Sequence, residues 1–458
     1  MPKKISDYMQ AGVCAHLIGI GGVSMSPLAE VLAGEGLIIT GSDIVESSTV
    51  LHLRGLNIPV AIGHTAENVG EVDLVIRTAA AHDDNPEVMA AKAKGIPVFE
   101  RAQAWGALMK RYQNALCVAG THGKTTTTSM CTHICMAADI DPTVMIGGTL
   151  PLIGASHRVG RGDTIVVESC EYCNSFLSFS PTIAVVLNVE EDHMDFFRDL
   201  DDIVHSFRTF VELTPAEDGV VVANFDDANT MKMAAGIDRR VITFGMSPEA
   251  DVVCADLRWQ DGLPSFDIIA DGERYAKVKL RVPGKHNVMN ALAAAAAAFA
   301  MELSGRAVED GLAAFRGAAR RMEYKGSING AAVFDDYAHH PAELRALLSA
   351  VAALPYERVI CAFQPHTYTR TNAFFDDFVQ ELKAADMVLL AEIYAAREEN
   401  TIGISSKQLA EKIPNARYFA KLSDLKEKLR ELARPGDLIL TVGAGNIYQV
   451  GEELVAEE

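Results

Sequence analysis

No apolar run in the sequence approaches the roughly 18 residues needed to cross a bilayer, and the longest greasy stretch, residues 291–300, is mostly alanine. That argues against a membrane span. Basic residues are scarce: 41 Lys and Arg stand against 61 Asp and Glu, a net charge of −20. A field of that sign repels nucleic-acid phosphates and anionic membranes, so neither is expected as a partner. The eight cysteines (14, 117, 131, 135, 170, 173, 254 and 361) are scattered, which argues against a disulfide framework. Cys170 and Cys173 form one C-x-x-C, but no second pair completes a zinc site. Internal repeats, coiled-coil heptads and low-complexity linkers are lacking as well.

What is present is an ordinary globular composition. Hydrophobic residues make up 49% and charged residues 22% of 458 positions, enough for about three domains. The start, MPKKISDYMQ, leads into an apolar segment broken by Gly19, Gly21 and Gly22. It has no signal-peptide cleavage pattern, and a cytoplasmic location is the expectation. Residues 16–20 read as a buried strand, followed by a Gly-rich turn and a helix ending at Gly34 and Gly36. Strand-like runs at 37–43, 58–63 and 73–80 continue the pattern. It restarts at 115–120 with a strand feeding a long helix, and residues 251–282 alternate like an antiparallel patch. A further restart after 317–326 gives four more strand-like runs. These restarts predict an α/β protein of three domains, 1–112, 113–318 and 319–458.

Two glycine loops and one acidic set carry the chemistry. Gly120-Thr121-His122-Gly123-Lys124-Thr125 lies between a buried strand and a helix, the setting of a P-loop. Main-chain N–H groups at a helix N-terminus attract phosphate, Lys124 adds a point charge, and the Thr125 hydroxyl is placed for Mg²⁺. Val118 stands where the standard motif has its first glycine. Gly19, Gly21 and Gly22 follow the first strand, and Asp43 ends the next, as in dinucleotide folds where the acid takes a ribose hydroxyl. Ser24 replaces the third glycine, so a dehydrogenase and plain strand–helix packing both stay open for this loop. The acids Glu168, Glu171, Glu190, Glu191, Asp192 and Asp195, with His193, suit Mg²⁺ beside ATP as a group.

GTHGKTTT, ESCEYCNSF, NVEEDHMD, GKHNVMNALAA, RRMEYKG, DDYAHHPAE and FQPHTYTRT occur in this order, and in that the chain resembles the Mur ligases over essentially its whole length. The resemblance implies a Rossmann-like UDP-binding domain, a central P-loop ATPase domain and a C-terminal Rossmann-like domain. The N-terminal GIGGVSMS and GSD resemble the branch that joins L-alanine to UDP-N-acetylmuramate through an acyl phosphate in peptidoglycan precursor synthesis. ATP and Mg²⁺ are the implied cofactors. By the same resemblance Thr126 joins residues 120–125 on the nucleotide, while Thr125, Glu168 and His193 are metal ligands. Asn287 and Asn290 fall at the adenine, Arg321 at the phosphates and Asp336 at the ribose of ATP. His339, His340 and Arg370 fall where the sugar and amino acid enter. Gly19, Gly21, Gly22, Ser42, Asp43 and His64 fall at the UDP-sugar. Relatives commonly carry Asp where this chain has Cys170 and Cys173, and often Arg where it has Thr367. A ligase recycling murein tripeptide onto the same sugar, and a non-catalytic P-loop nucleotide switch, are the alternatives.

Overall fold

The computed structural model describes residues 4–194, 196–396 and 398–456, which form two compact units. The first holds the chain up to Val253 with Ile269–Glu273 and Leu292–Gly311. The second holds Cys254–Ile268, Arg274–Ala291 and the chain from Leu312 onward.

Two sheets build the first unit. β1 (Cys14–Ile18), β2 (Ile38–Asp43), β3 (Val60–Ile62), β4 (Leu74–Arg77) and β5 (Val98–Glu100) form a parallel sheet in the order β3-β2-β1-β4-β5. The order reverses between β1 and β4, and such a reversal opens a crevice beyond the carboxyl ends of the strands. Gly19–Gly22 lies at that edge. The central strands β1 and β4 are short and almost wholly buried, as parallel strands inside an α/β sheet are.

The second sheet starts at β6 (Asn114–Ala119) and adds β7 (Thr143–Leu150), β8 (Ala155–Arg158), β9 (Thr164–Glu168), β10 (Ile183–Val186), β11 (Val220–Asn224) and β12 (Arg240–Gly245). Its order is β12-β11-β10-β6-β9-β7-β8, parallel except for the β7–β8 hairpin. β13 (Val252–Gln260) extends it through Val252 and Val253. β6 is therefore flanked by β9 and β10, with Val118 beside Glu168 and Ala119 beside Val186. That register brings the ends of both neighbours to the loop at 120–123. The helix Arg101–Met109 precedes β6, and its Trp105 is buried with Nε1–H donating to the Ser24 carbonyl at 3.3 Å. The next residue, Gly106, touches the segment Tyr172–Ser178 so closely that a Cβ there would lie 1.8 Å from the Ser178 carbonyl oxygen.

The second unit contains the rest of β13 with most of β14 (Leu263–Ala270) and β15 (Glu273–Lys279), where buried positions alternate with more exposed ones. Its main sheet comprises β16 (Glu323–Ile328), β17 (Ala331–Asp336), β18 (Arg358–Phe363), β19 (Met387–Ala391), β20 (Ala416–Phe419) and β21 (Asp437–Val442). The order is β16-β17-β21-β18-β19-β20, and only β16 is antiparallel. Leu344, Phe363 and Phe378 pack one face and Ile360, Leu425 and Leu454 the other.

Candidate active site

The candidate phosphate loop lies between β6 and the helix Lys124–Ala137. Val118 is a fully buried strand residue, so the loop begins two residues later, at Gly120. Gly123 has φ of 85°, a left-handed conformation that glycine adopts without strain. Asn188, just past β10, fastens the loop: its Oδ1 accepts from the His122 N–H at 2.7 Å and its Nδ2 donates to the His122 carbonyl at 3.1 Å. The Thr121 hydroxyl accepts from the Glu190 N–H at 2.9 Å. The threonine-rich helix satisfies its own hydroxyls, since Thr128 donates to the Lys124 carbonyl and Ser129 to that of Thr125, at 2.8 and 2.7 Å. Thr126 is buried on the same turn.

Lys124 and Thr125 each meet one carboxylate. The Lys124 ammonium donates to Glu171 Oε1 and Oε2 at 3.1 and 3.0 Å and to the carbonyls of Gly120 and Thr121 at 2.5 and 3.1 Å. Burial alone would lower its pKa, but the Glu171 and Glu168 charges outweigh burial and hold it well above the usual lysine value. The Thr125 hydroxyl donates to Glu168 Oε1 at 3.0 Å, and the other oxygen accepts from the Gly147 N–H of β7 at 2.6 Å. A Cβ at Gly147 would come within 2.6 Å of Glu168. His193 has φ of 55°, lies 4.6 Å from the Tyr172 ring, and places Nε2 3.8 Å from Glu171 Oε1. A hydroxyl and a carboxylate brought together beside a phosphate loop are the hard oxygen donors that Mg²⁺ selects, so Thr125 and Glu168 fit it. His193 instead faces Glu171, the partner of Lys124. Cys170 and Cys173 are exposed free thiols, and Asp195 lies outside the described residues.

At the N-terminal crevice the Ser42 carbonyl accepts from the Gly19 and Ile20 N–H groups at 2.8 and 3.0 Å. Asp43 Oδ2 accepts from the Gly21 N–H at 2.8 Å, and Oδ1 from that of Val45 at 3.3 Å. Asp43 thereby shapes the glycine loop, and a Cβ at Gly21 would fall 2.9 Å from its Oδ2. The Gly22 carbonyl receives the first N–H groups of the helix Met25–Gly34. Ser42 and His64 face each other, Oγ to Nδ1, at 3.1 Å.

In the second unit Asn287 and Asn290 are linked, Nδ2 of Asn290 donating to Oδ1 of Asn287 at 3.2 Å, and Asn287 Nδ2 donates to the Pro283 carbonyl at 2.7 Å. Asp336 ends β17 and accepts from the Met322 and Ala338 N–H groups, both at 2.8 Å. Burial pushes its carboxyl up to about 6 despite Arg321 nearby. His286 is pushed down to about 4 by burial and then by Arg321. Arg321 lies over the Tyr337 ring at 5.1 Å. Its neighbour Arg320 is held between the rings of Tyr337 and Tyr448 at 4.8 and 4.6 Å and paired with Asp335 at 3.0 Å. His340 caps the helix Pro341–Val351, its Nδ1 accepting from the Ala342 N–H at 3.3 Å. Nδ1 of His339 lies 3.0 Å from the Tyr337 carbonyl. Arg370 Nη1 lies 3.4 Å from His366 Nδ1, on a short helix whose first N–H groups, those of Tyr368 and Thr369, are held by Glu398 at 2.7 and 2.9 Å.

Comparison with known proteins accounts for nearly the whole chain. Residues 15–113 match the Mur ligase family catalytic domain, 118–298 the Mur ligase middle domain and 320–445 the Mur ligase glutamate ligase domain. A UDP-N-acetylmuramate–L-alanine ligase of Agathobacter rectalis is 46% identical over 446 residues, covering 96% of this chain and 97% of that protein. The chain belongs to the Mur ligase family. The crystal structure of the UDP-N-acetylmuramate-alanine ligase from Thermotoga maritima superposes with a TM-score of 0.79 at 30% identity, covering 97% of this chain and 98% of that one. A murein peptide ligase from Psychrobacter arcticus follows with a TM-score of 0.69 at 25% identity and the same coverage. In this Mur ligase, sequence reasoning did not single out Asn188, Gly147 or Arg320. Asn188 and Arg320 carried a faint signal as the residues opening the NVEEDH and RRMEYKG segments, whereas Gly147 carried none.

Proposed function

We propose that this Mur ligase joins L-alanine to UDP-N-acetylmuramate at the expense of ATP, releasing ADP and phosphate, as a cytoplasmic step of peptidoglycan precursor synthesis. The observation that carries the substrate choice is the 46% identity to a UDP-N-acetylmuramate–L-alanine ligase across 96% of the chain. The phosphate loop supports the chemistry. No helix among the described residues is long and apolar enough to cross a membrane.

A carboxylate does not acylate an amine in water because its oxygen leaves poorly. Transfer of the γ-phosphoryl group of ATP to the lactyl carboxylate gives an acyl phosphate. The amine of L-alanine then attacks the carbonyl carbon, and phosphate departs as the tetrahedral intermediate collapses. Lys124, kept protonated by Glu171, supplies the cation for the phosphoryl oxygens, and the 120–123 main chain cradles them. Thr125 and Glu168 would hold Mg²⁺, which when bound neutralises charge on the transferring group. Arg321, Asp336, Asn287 and Asn290 serve the nucleotide in this reading, and His339, His340 and Arg370 the acceptor side. Gly19, Gly21, Gly22, Ser42, Asp43 and His64 hold the UDP-sugar.

The test is phosphate release in the presence of ATP, Mg²⁺ and UDP-N-acetylmuramate, with alanine, serine, glycine or murein tripeptide added in turn. Release that requires both the sugar and L-alanine, with product mass increased by one alanine residue, is the expected result. The murein peptide ligase neighbour gives the tripeptide a place in this series. A tripeptide product without an alanine product, or ATP turnover indifferent to both substrates, overturns the reading.

A further inference from the structure

Beneath the N-terminal crevice lies a buried acid to which neither glycine loop points. Glu87 is the second residue of the helix Pro86–Ala93 and is 0% exposed. A glutamate in a first helical turn ordinarily faces solvent and complements the helix dipole. This one turns inward and receives two side-chain hydrogen bonds, with two histidines beside it. Its Oε2 accepts from the Ser42 hydroxyl at 2.6 Å, and Oε1 accepts from Asn68 Nδ2 at 2.5 Å. Nδ1 of His64 and Nε2 of His16 lie 3.3 and 3.5 Å from Oε2. Burial by itself would raise the Glu87 pKa, but the neighbouring His16 and the hydrogen bonds from Ser42 and Asn68 together hold it below the usual carboxylate value. The group is an ionised, acceptor-only centre inside the domain.

An acceptor-only centre dictates how its neighbours point. The Ser42 proton goes to Glu87, so what Ser42 can still offer is a lone pair. The Nδ1 edge of His64 is turned inward, toward Ser42 Oγ at 3.1 Å and Glu87 at 3.3 Å, and its Nε2 lies on the opposite edge of the ring. The same Ser42 residue accepts the Gly19 and Ile20 N–H groups through its carbonyl. One carboxylate therefore fixes two of the three side chains proposed for the UDP-sugar, Ser42 and His64, and Ser42 also anchors the glycine loop through its carbonyl. We infer that Glu87 is a positioning residue for UDP-sugar recognition, acting through Ser42 and His64 without touching the ligand; this rests on the proposed substrate.

Glu87→Gln keeps the shape but gives the centre an N–H₂ group where acceptors are needed. KM for UDP-N-acetylmuramate should rise about tenfold or more, while KM for ATP stays within about twofold and kcat at saturation is little changed. The rise should shrink when Glu87→Gln is made in a His64→Gln background, because only the route through Ser42 is then left for Glu87 to act on. Asn68→Ala, which frees only one oxygen of Glu87, should show the same selectivity in smaller measure and serves if the first variant does not fold. Calorimetric titration of the wild-type chain with UDP-N-acetylmuramate separates the two levels of the reading. No wild-type binding overturns the substrate. Wild-type binding with equal binding by the Glu87 and Asn68 variants overturns the positioning role alone, as do additive effects in the double variant or equal loss for both substrates.

Discussion

Lys124→Met separates what the lysine does for the fold from what it does for phosphoryl transfer. Its ammonium lies 3.0 and 3.1 Å from the two oxygens of Glu171, whose side chain is 3% exposed. Methionine keeps the aliphatic volume and strands that carboxylate, and removing one partner of a buried ion pair costs about 3–5 kcal/mol. The Lys124 side chain is 15% exposed and His193 Nε2 remains 3.8 Å from Glu171, which puts the loss at the low end, about 3 kcal/mol. Adding Glu171→Gln removes the stranded charge, so Lys124→Met/Glu171→Gln should recover about 2 kcal/mol relative to the single variant. Turnover should be nearly abolished in both, since the phosphoryl group has lost its cation in each. Amide exchange along Lys124–Ala137 in rising denaturant reads the stability of this domain without requiring a multidomain chain to melt in one step. Phosphate release reads turnover. A double variant no more stable than the single, or near-normal turnover in either, would refute the reasoning.

Glu168→Ala should raise the Mg²⁺ concentration for half-maximal rate about tenfold or more, and His193→Ala by less, with KM for the UDP-sugar unmoved; an unchanged magnesium titration in both counts against the metal role. Arg370→Lys should lower kcat/KM for UDP-N-acetylmuramate about tenfold at constant melting temperature, because an ammonium cannot reproduce the planar fork of a guanidinium; full activity would sink that assignment. Asp336 is pushed up to about 6 from an ordinary 3.8, so between about pH 4 and 6 the native state keeps a proton that the unfolded chain has lost. Stability should fall by about 3 kcal/mol as pH rises through that window. Asp336→Asn should flatten the slope, and equal slopes in denaturant titrations of the two proteins would contradict it.

The parts of the site that could be read from the sequence are local ones. A buried strand, two glycines, Lys124 and Thr125 within a dozen residues announce a phosphate loop because each supplies a main-chain or side-chain group to one turn. Glu168 was legible as an acid ending a strand. Its hold on the site was not, because it comes from the Gly147 N–H on β7, in a stretch whose glycines and proline hide the strand signal. Glu171 was visible as one acid among several, but that it grips Lys124 follows from adjacent strand ends rather than from spacing. Asp43 sits at the end of β2 as read, and the structure adds that its carboxylate is engaged by the main chain of Gly21 and Val45. Glu87 was hidden altogether, since an acid after an Asn-Pro helix start looks like a dipole partner until the packing of three elements shows it buried.

The close approach of Gly106 to Ser178 bears on how chimeric ligases can be made. The restart of the strand pattern proposes a border near residues 112 and 113, and a graft cut there would bring in the helix Arg101–Met109 with a foreign N-terminal domain. Any donor with a side chain at position 106 would drive a carbon into the Ser178 carbonyl, 1.8 Å away. The displaced segment, Tyr172–Ser178, begins next to Glu171, the partner of Lys124. A graft meant to alter only sugar recognition would thus disturb the phosphate loop. A junction before Arg101, keeping this helix with the recipient's ATPase domain, avoids the clash.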